Sequence, residues 1–248
     1  MKPKTLFGQT VWSLSWILFI LFLGLFFDST YFTETYYQQA QWINNSCVVL
    51  VFVYCYYKGT ARTKEQLIYA FIIGIIGEHI FSVVLGMYTY RLGNVPYYIP
   101  FGHALVFLGV YNFSRKSQVR FYHKNIERFL SYAIAIYASV FLIFKNDVFG
   151  FVMTVMVFLS LRKYPKEKLF YLTMYGVVAY AELIGTALNT WSWPKFAFNT
   201  FEFLPSANPP SGICLFYYGL DRGTMSIYKR RHKETWKRLQ SIRKVSLQ

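Results

Sequence analysis

Long apolar runs alternate with short polar connections along the whole chain. Eight runs approach the roughly 20 apolar residues that a helix needs to cross the core of a bilayer, although the fifth and sixth are short. The runs cover residues 11–27, 39–57, 67–89, 98–114, 129–144, 147–161, 168–190 and 210–228. This pattern predicts an all-α fold, a polytopic membrane helix bundle of eight transmembrane helices. We expect one domain over 1–228 and a basic cytoplasmic tail over 229–248.

Lysine and arginine are concentrated in every second connection. The sequences "KGTARTKE", "SRKSQVRFYHKNIER" and "RKYPKEK" follow the second, fourth and sixth runs, and the tail contains "KRRHKETWKRLQSIRK". Because positive residues are retained on the cytoplasmic side of a membrane, we expect both termini in the cytoplasm, in a protein of a bacterial inner membrane.

The composition agrees with a membrane protein. Hydrophobic residues make up 55% of the chain and charged residues only 15%, whereas about 25% is usual for soluble domains. The net charge of +15 lies in clusters between apolar runs, which is typical of contact with an anionic leaflet. We therefore expect the membrane and a lipid as partners, and no nucleic acid.

Two passages carry the same features in the same order: an acid, an aromatic-x-aromatic triplet, two prolines and a glycine. The first passage has Glu78, Tyr88-Thr-Tyr90, Pro96, Pro100 and Gly102. The second has Glu182, Trp191-Ser-Trp193, Pro205, Pro210 and Gly212. The third and seventh runs would cross the membrane in the same direction. The sequence thus predicts two parallel four-helix repeats, 1–128 and 129–228.

Glu78 and Glu182 lie inside predicted spans. Ionisable side chains are costly in hydrocarbon and usually face the interior of a bundle or a wet cavity. A buried carboxylic acid can donate a proton to a substrate. We predict that both glutamates are catalytic. The small and polar residues at four-residue spacing around them are also consistent with close helix packing.

Three further polar residues are candidates. His103, one turn into the fourth span, is predicted to act in catalysis, as a proton relay or head-group site with Glu78 and Asn208; Asn208 is predicted to bind substrate. His79 is a candidate substrate-binding residue. Either histidine could instead bond to a neighbouring helix.

Asp221 in the eighth span is a candidate second acid. The alternative is a structural ion pair with Arg222, which follows it directly.

The aromatic triplets are predicted to lie at the outer membrane interface. Aromatic belts are common there; alternatively, Tyr88, Tyr90, Trp191 and Trp193 line a lateral opening for the substrate. Cys47, Cys55 and Cys214 lie in apolar stretches without metal-like spacing. We expect no metal site and no cofactor, although haem binding by His79 and His103 stays open.

The segments "GMYTYRLGNVPYYIP" and "WSWP … LPSANPPSG" resemble the carotenoid hydratase family of integral membrane proteins, of the bacterioruberin type. They are also similar to uncharacterised bacterial membrane proteins with Gly-His and Asn-Pro-Pro-Ser-Gly motifs. The hydratase resemblance implies addition of water to a terminal double bond of a polyene. It implies that Glu78 is the acid and that the two aromatic pairs line the path of the cation.

Three functions fit the sequence. The first is an intramembrane enzyme that performs acid/base chemistry, as hydration, isomerisation or cyclisation, on an isoprenoid, carotenoid or other lipid, as a hydratase-like lyase would. The second is a proton-coupled transporter of a lipid or small molecule, because parallel repeats and intramembrane acids suit a carrier too. The third is a membrane scaffold. The oligomeric state is not predicted.

Overall fold

The computed structural model describes residue 15, residues 17–234 and residue 236. Long helices occupy the predicted runs. They are α1 (Ile17–Phe27), α3 (Ala40–Lys58), α4 (Ala61–Glu78), α5 (Tyr98–Arg115), α7 (His123–Lys145), α8 (Val148–Lys163), α9 (Lys168–Ala187) and α10 (Cys214–Arg231). Short helices are α2 (Thr30–Thr35), α6 (Ser117–Phe121), a π-helix (His79–Val84) that continues α4, and a 3-10 turn (Pro165–Glu167). The predicted all-α class is confirmed.

Three of the described helices are long and apolar enough to cross a membrane, by length and composition: Ala61–Val84, His123–Lys145 and Pro165–Ala187. The length and composition of these helices support a membrane protein. The eight-span topology stays a prediction. The start of the first run and most of the basic tail lie outside the described residues.

Two predicted spans end earlier than the apolar pattern suggests. The helix of run 67–89 stops at Val84, and Gly86 then adopts a positive φ of 56°, a conformation that glycine takes without strain. The helix of run 168–190 stops at Ala187, and Asn189 turns with φ 54°. Apolar residues continue past both turns, so the apolar runs predict helices that are longer than those in the structure.

The residues released from these helices form two small sheets. Strand β1 (Thr89–Tyr90) pairs antiparallel with β2 (Trp191–Ser192), with Tyr90 opposite Trp191. Strand β3 (Phe196–Ala197) pairs with β4 (Phe201–Pro205). We call this end of the bundle the strand end, and the opposite end, with Lys58, Arg62, Arg115 and Arg231, the basic end.

Helix α9 is the centre of the bundle and α7 lies at its edge. In the most apolar windows, 61% of the residues of Pro165–Ala187 are buried, against 11% for His123–Lys145. Leu172, Met174 and Tyr175 on α9 are each at most 1% exposed. The exposed side chains of α7 include Ile136, Ile143 and Phe144. An apolar outer face of this kind suits contact with lipid.

The short connections between α7 and α8 and between α3 and α4 are fixed by side-chain caps. Asp147 caps α8 by accepting from the Gly150 amide, and Asn146 before it adopts φ 53°, so these two residues reverse the chain between α7 and α8. At the basic end, the Thr60 hydroxyl accepts from the Thr63 amide and caps α4. Side-chain caps of this kind satisfy amides that the first helical turn leaves free.

Candidate functional site

A cavity of about 610 Å³ lies between α1, α3, α4, α5, α9 and α10. Most of its wall is aliphatic or aromatic, and its acidic and histidine side chains gather at the strand end. Those lining it there are Glu78, Tyr88, Tyr90, His103, Glu182, Trp191 and Trp193. Seven of the ten sequence-predicted site residues therefore share one chamber.

The Glu78 carboxyl group is within hydrogen-bond distance of three side chains. Its Oε2 accepts from the Tyr88 hydroxyl at 2.8 Å and from the Tyr90 hydroxyl at 2.6 Å. Its Oε1 lies 2.6 Å from His103 Nε2. The carboxyl is 6% exposed, so these bonds replace water. Both oxygens are occupied, as suits an ionised carboxylate that faces an imidazole.

The π-helix and the following turn bring Tyr88 and Tyr90 back to Glu78. The turn is held by backbone bonds from Leu85 to Ile80 and from Met87 to Phe81, and the Ser82 hydroxyl donates to the Tyr88 carbonyl at 3.1 Å. π-helical segments of this kind are frequent at functional sites.

Glu182 is held by two indoles. Its Oε2 accepts from Trp191 Nε1 at 2.8 Å and from Trp193 Nε1 at 3.0 Å. Within the described residues, its Oε1 makes no hydrogen bond. The residue is 5% exposed and lines the cavity. One oxygen is therefore fixed and the other is free to meet a ligand.

The β1–β2 ladder joins the two carboxyl sites. The Tyr88 and Trp193 rings lie 4.7 Å apart between centroids, and the Tyr90 and Trp191 rings 6.1 Å apart. Each acid thus binds an aromatic triplet, and the triplets contact each other. Aromatic faces of this kind can stabilise a cation in the cavity.

Gly185 makes room for the Trp191 indole. A Cβ at this position of α9 would collide with the six-membered ring of Trp191. Because Trp191 lies against the backbone of the helix that carries Glu182, its N–H reaches the carboxyl from the C-terminal side. Only glycine permits this approach.

Asn208 supports the site from outside the cavity. Its Oδ1 accepts from the Trp193 backbone amide at 2.9 Å, and it is not among the residues that line the cavity. The structure therefore gives Asn208 a place behind Trp193, where it orients the tryptophan, and not the substrate contact that the sequence suggested.

His79 and Asp221 also lie away from the chamber. His79 is exposed, and its Nδ1 lies 2.8 Å from the Ile75 carbonyl of its own helix. Asp221 is 1% exposed, and neither of its oxygens has a hydrogen-bond partner among the described residues. The alternative ion pair with Arg222 is not formed; that guanidinium lies 3.8 Å from the centroid of the Tyr164 ring.

Two aspartates that the sequence reasoning missed anchor the strand end. Asp28, after α1, accepts from Arg91 Nη2 at 2.7 Å and from the Tyr98 hydroxyl at 2.9 Å. Asp147, after α7, accepts from the Ala207 amide at 3.0 Å and from the Ser211 amide at 2.7 Å. Each aspartate follows the first long helix of its half and binds the loop that precedes the fourth long helix of that half. An alignment of the two halves of the sequence could have revealed this shared position.

Comparison of the chain with protein-family models, with the curated proteins and with the solved structures found no match. The site's chemistry is therefore inferred from its geometry.

The chamber offers acid/base groups. Among the described residues, no group of three or more His, Cys, Asp or Glu is placed to hold a metal ion. A carboxylate–imidazole pair, a second carboxyl with one free oxygen and several aromatic faces meet in an apolar space. Such a set can add a proton to an apolar ligand and remove one from it.

Proposed function

We propose that the protein is an intramembrane enzyme that performs acid/base chemistry on an alkene lipid, with an isoprenoid or carotenoid as the substrate class. The observation that carries the proposal is the 2.6 Å contact between Glu78 Oε1 and His103 Nε2, in an apolar cavity that Glu182 also lines. The hydratase resemblance of the two aromatic segments points to the same chemistry.

The proposed topology has eight spans and both termini in the cytoplasm. Each of the eight apolar runs contains a helix in its described part, and basic side chains gather at one end of the bundle. The matching surroundings of Glu78 and Glu182, and of Asp28 and Asp147, support two parallel four-helix halves. The strand end would then face the outer side of a bacterial inner membrane.

In the proposed reaction, Glu182 is the acid. Its free Oε1 gives a proton to one carbon of a double bond, whose π electrons form the new C–H bond and leave a carbocation on the other carbon. The rings of Trp191 and Trp193 stabilise this cation. Glu78 is less suited to this step than the resemblance implies, because its oxygens already accept from three donors.

The Glu78–His103 pair is the proposed base. In a hydration, it takes a proton from the water whose oxygen bonds to the cation. In an isomerisation, it takes a proton from a neighbouring carbon, and the C–H electrons form the new double bond. Both routes return the site to its starting charge once the proton reaches Glu182. Cyclisation would differ only in which double bond meets the cation.

The test is incubation of the detergent-solubilised protein with an isoprenoid extract in D₂O, followed by mass spectrometry. The proposal expects products that carry deuterium on carbon, with or without an added water. Lipid profiles of a deletion strain would then name the substrate. If the wild-type protein leaves every alkene lipid unlabelled while it remains folded, the enzymatic proposal fails.

A proton-coupled carrier is the rival reading, because two carboxyls in one cavity also suit proton exchange. A carrier changes no covalent bond and needs sealed vesicles with a proton gradient. Labelled lipid moved across such vesicles, without deuterium incorporation in detergent, would favour it. A scaffold would tolerate Glu78→Gln and Glu182→Gln together in both assays.

A further inference from the structure

Asn44 is a buried amide that lines the cavity and lacks a partner. The residue lies near the start of α3 and is 3% exposed. Its Nδ2 is fully buried and has no hydrogen-bond partner among the described residues, and the residue lines the cavity. Buried polar groups in folded proteins nearly always find a partner. A ligand in the cavity can supply the missing one once the amide group turns toward the cavity.

The neighbouring Asn45 shows what a satisfied asparagine looks like here. Its Oδ1 accepts from the Tyr98 backbone amide at 2.9 Å, and so it fixes the start of α5. Asn45 does not line the cavity. Two adjacent amides on one helix thus have different surroundings, one occupied by the protein and one facing the chamber.

The cavity extends from Asn44 along α3 toward the basic end. Asn44, Val48, Val51 and Cys55 line it at spacings of three or four residues, which places them on one face of the helix. The eleven-residue step from Asn44 to Cys55 corresponds to about 17 Å along the axis. Beyond the strand end, the wall is apolar except for Cys55 and the exposed Asn112.

The carboxylate at the strand end limits the polar group that fits there. Glu78, part of the proposed base, lines the same chamber as Asn44, so an anionic head group would meet a like charge in a medium of low dielectric. A hydroxyl is neutral, and it can accept from Nδ2 or donate to Oδ1 of the amide. A pure hydrocarbon would leave Asn44 unsatisfied.

We propose that the cavity binds an elongated lipid with a hydroxyl group at its strand-end terminus, and that Asn44 hydrogen-bonds this hydroxyl. The inference rests on the proposed function for the chamber as the substrate site. It adds the polarity and the orientation of the ligand, with the hydroxyl at the strand end and the chain directed toward the basic end.

The test compares two probes, geranylgeraniol and the C20 hydrocarbon of the same skeleton without the hydroxyl. Affinities for the purified protein in detergent are measured by competition with a fluorescent polyene alcohol, which carries the neutral head group that the proposal requires. The wild type should bind the alcohol about tenfold more tightly, the usual effect of one buried hydrogen bond. Asn44→Leu should bind both probes equally, with its affinity for the hydrocarbon kept.

Asn45→Leu is the matched control. It should lower the melting temperature, because the Tyr98 amide loses its acceptor, but keep the tenfold preference for the alcohol. Asn44→Leu should not lower the melting temperature. Equal affinities in the wild type, a preference that survives in Asn44→Leu, or no saturable binding of either probe would each overturn the inference.

The outcome is separable from that of the proposed function. If Asn44→Leu abolishes the preference while no lipid is converted by the wild type, the binding inference stands and the enzymatic proposal fails. If lipids are converted in D₂O but the preference survives in Asn44→Leu, only the inference about Asn44 fails.

Discussion

Glu78 and Glu182 have matching positions and different partners. Each precedes an aromatic-x-aromatic triplet and accepts two hydrogen bonds from it on Oε2. Around Glu78 the donors are phenols, and His103 occupies the other oxygen. Around Glu182 the donors are indoles, and the other oxygen has no partner among the described residues.

The difference lies in what the donors can do with a proton. A phenol hydroxyl or an imidazole can donate and accept, whereas an indole N–H can only donate. Glu78 therefore belongs to a chain of groups that can pass protons. Glu182 is held by groups that cannot take its proton, so that proton can leave only from the free oxygen, toward the ligand. Similar local folds in the two halves thus support different chemistry.

The largest expected effect comes from removing the carboxyls one at a time. Glu182→Gln and Glu78→Gln should each lower turnover by about 10²–10⁴-fold, the usual contribution of a positioned acid or base. The melting temperature should change little, because glutamine keeps an acceptor oxygen for the tyrosines or tryptophans. Deuterium uptake from D₂O into the product measures the rate.

The pH profile of the residual activity separates the two roles. The wild-type rate should fall at high pH, where the acid has lost its proton, and at low pH, where the base is protonated. Glu182→Gln should flatten the high-pH side and Glu78→Gln the low-pH side. Glu34→Gln, at an exposed position, is the control. Reversed pH effects would assign the acid to Glu78, and wild-type rates in both variants would remove the carboxyls from the mechanism.

The second prediction concerns the anchor of the first half. Asp28→Ala should reduce the free energy of unfolding by about 3–5 kcal/mol, because Arg91 would lose its carboxylate inside the protein. Asp28 is 1% exposed and also accepts from Tyr98. Denaturant titration in detergent provides the measurement, with Glu34→Ala as the control. Equal free energies of unfolding in these two variants would show that the Asp28–Arg91 ion pair does not stabilise the fold.

The sequence predicted where the long helices lie and which two glutamates matter, but not most of the contacts around them. Apolar runs gave the positions of the long helices, and the repeated order of acid, aromatic triplet and prolines singled out Glu78 and Glu182. Their burial followed from the cost of a carboxyl among apolar neighbours. The predicted contact of His103 with Glu78 is found.

What the sequence could not predict depends on backbone geometry. Tyr88 and Tyr90 were expected at a membrane interface or an opening, but a π-helix and the turn at Gly86 bring them back to Glu78. The pairing of the two triplets is a long-range contact that no local pattern encodes. Asp28 directly follows an apolar run, so the sequence alone indicates only the end of a predicted span. Its role as an anchor depends on Arg91 and Tyr98, which are distant in the sequence.

The third prediction tests how Trp191 is held beside Glu182. Gly185→Ala should reduce the free energy of unfolding by about 1–3 kcal/mol, because the added methyl forces the indole out of place. Gly176→Ala on the same helix is the control, since a Cβ there meets nothing within 4 Å; it should be neutral or gain up to about 1 kcal/mol. An unchanged Gly185→Ala protein with full activity would mean that the indole contact is not needed.

The smallest effect separates a hydrogen-bond donor from a proton carrier at Glu78. Tyr90→Phe keeps the ring and removes only the hydroxyl that lies 2.6 Å from Oε2, while Tyr88 and His103 remain. If the phenol only stabilises the carboxylate, the free energy of unfolding should fall by about 1–3 kcal/mol, and the rate should fall by no more than about tenfold. Tyr97→Phe, at an exposed tyrosine, controls for the substitution itself. A loss of rate as large as that of Glu78→Gln, with the stability kept, would instead make Tyr90 a member of the proton path. The two halves would then differ in mechanism as well as in their donors, because Trp193, which matches Tyr90 in the second triplet, has an indole N–H that can donate a hydrogen bond but cannot accept a proton.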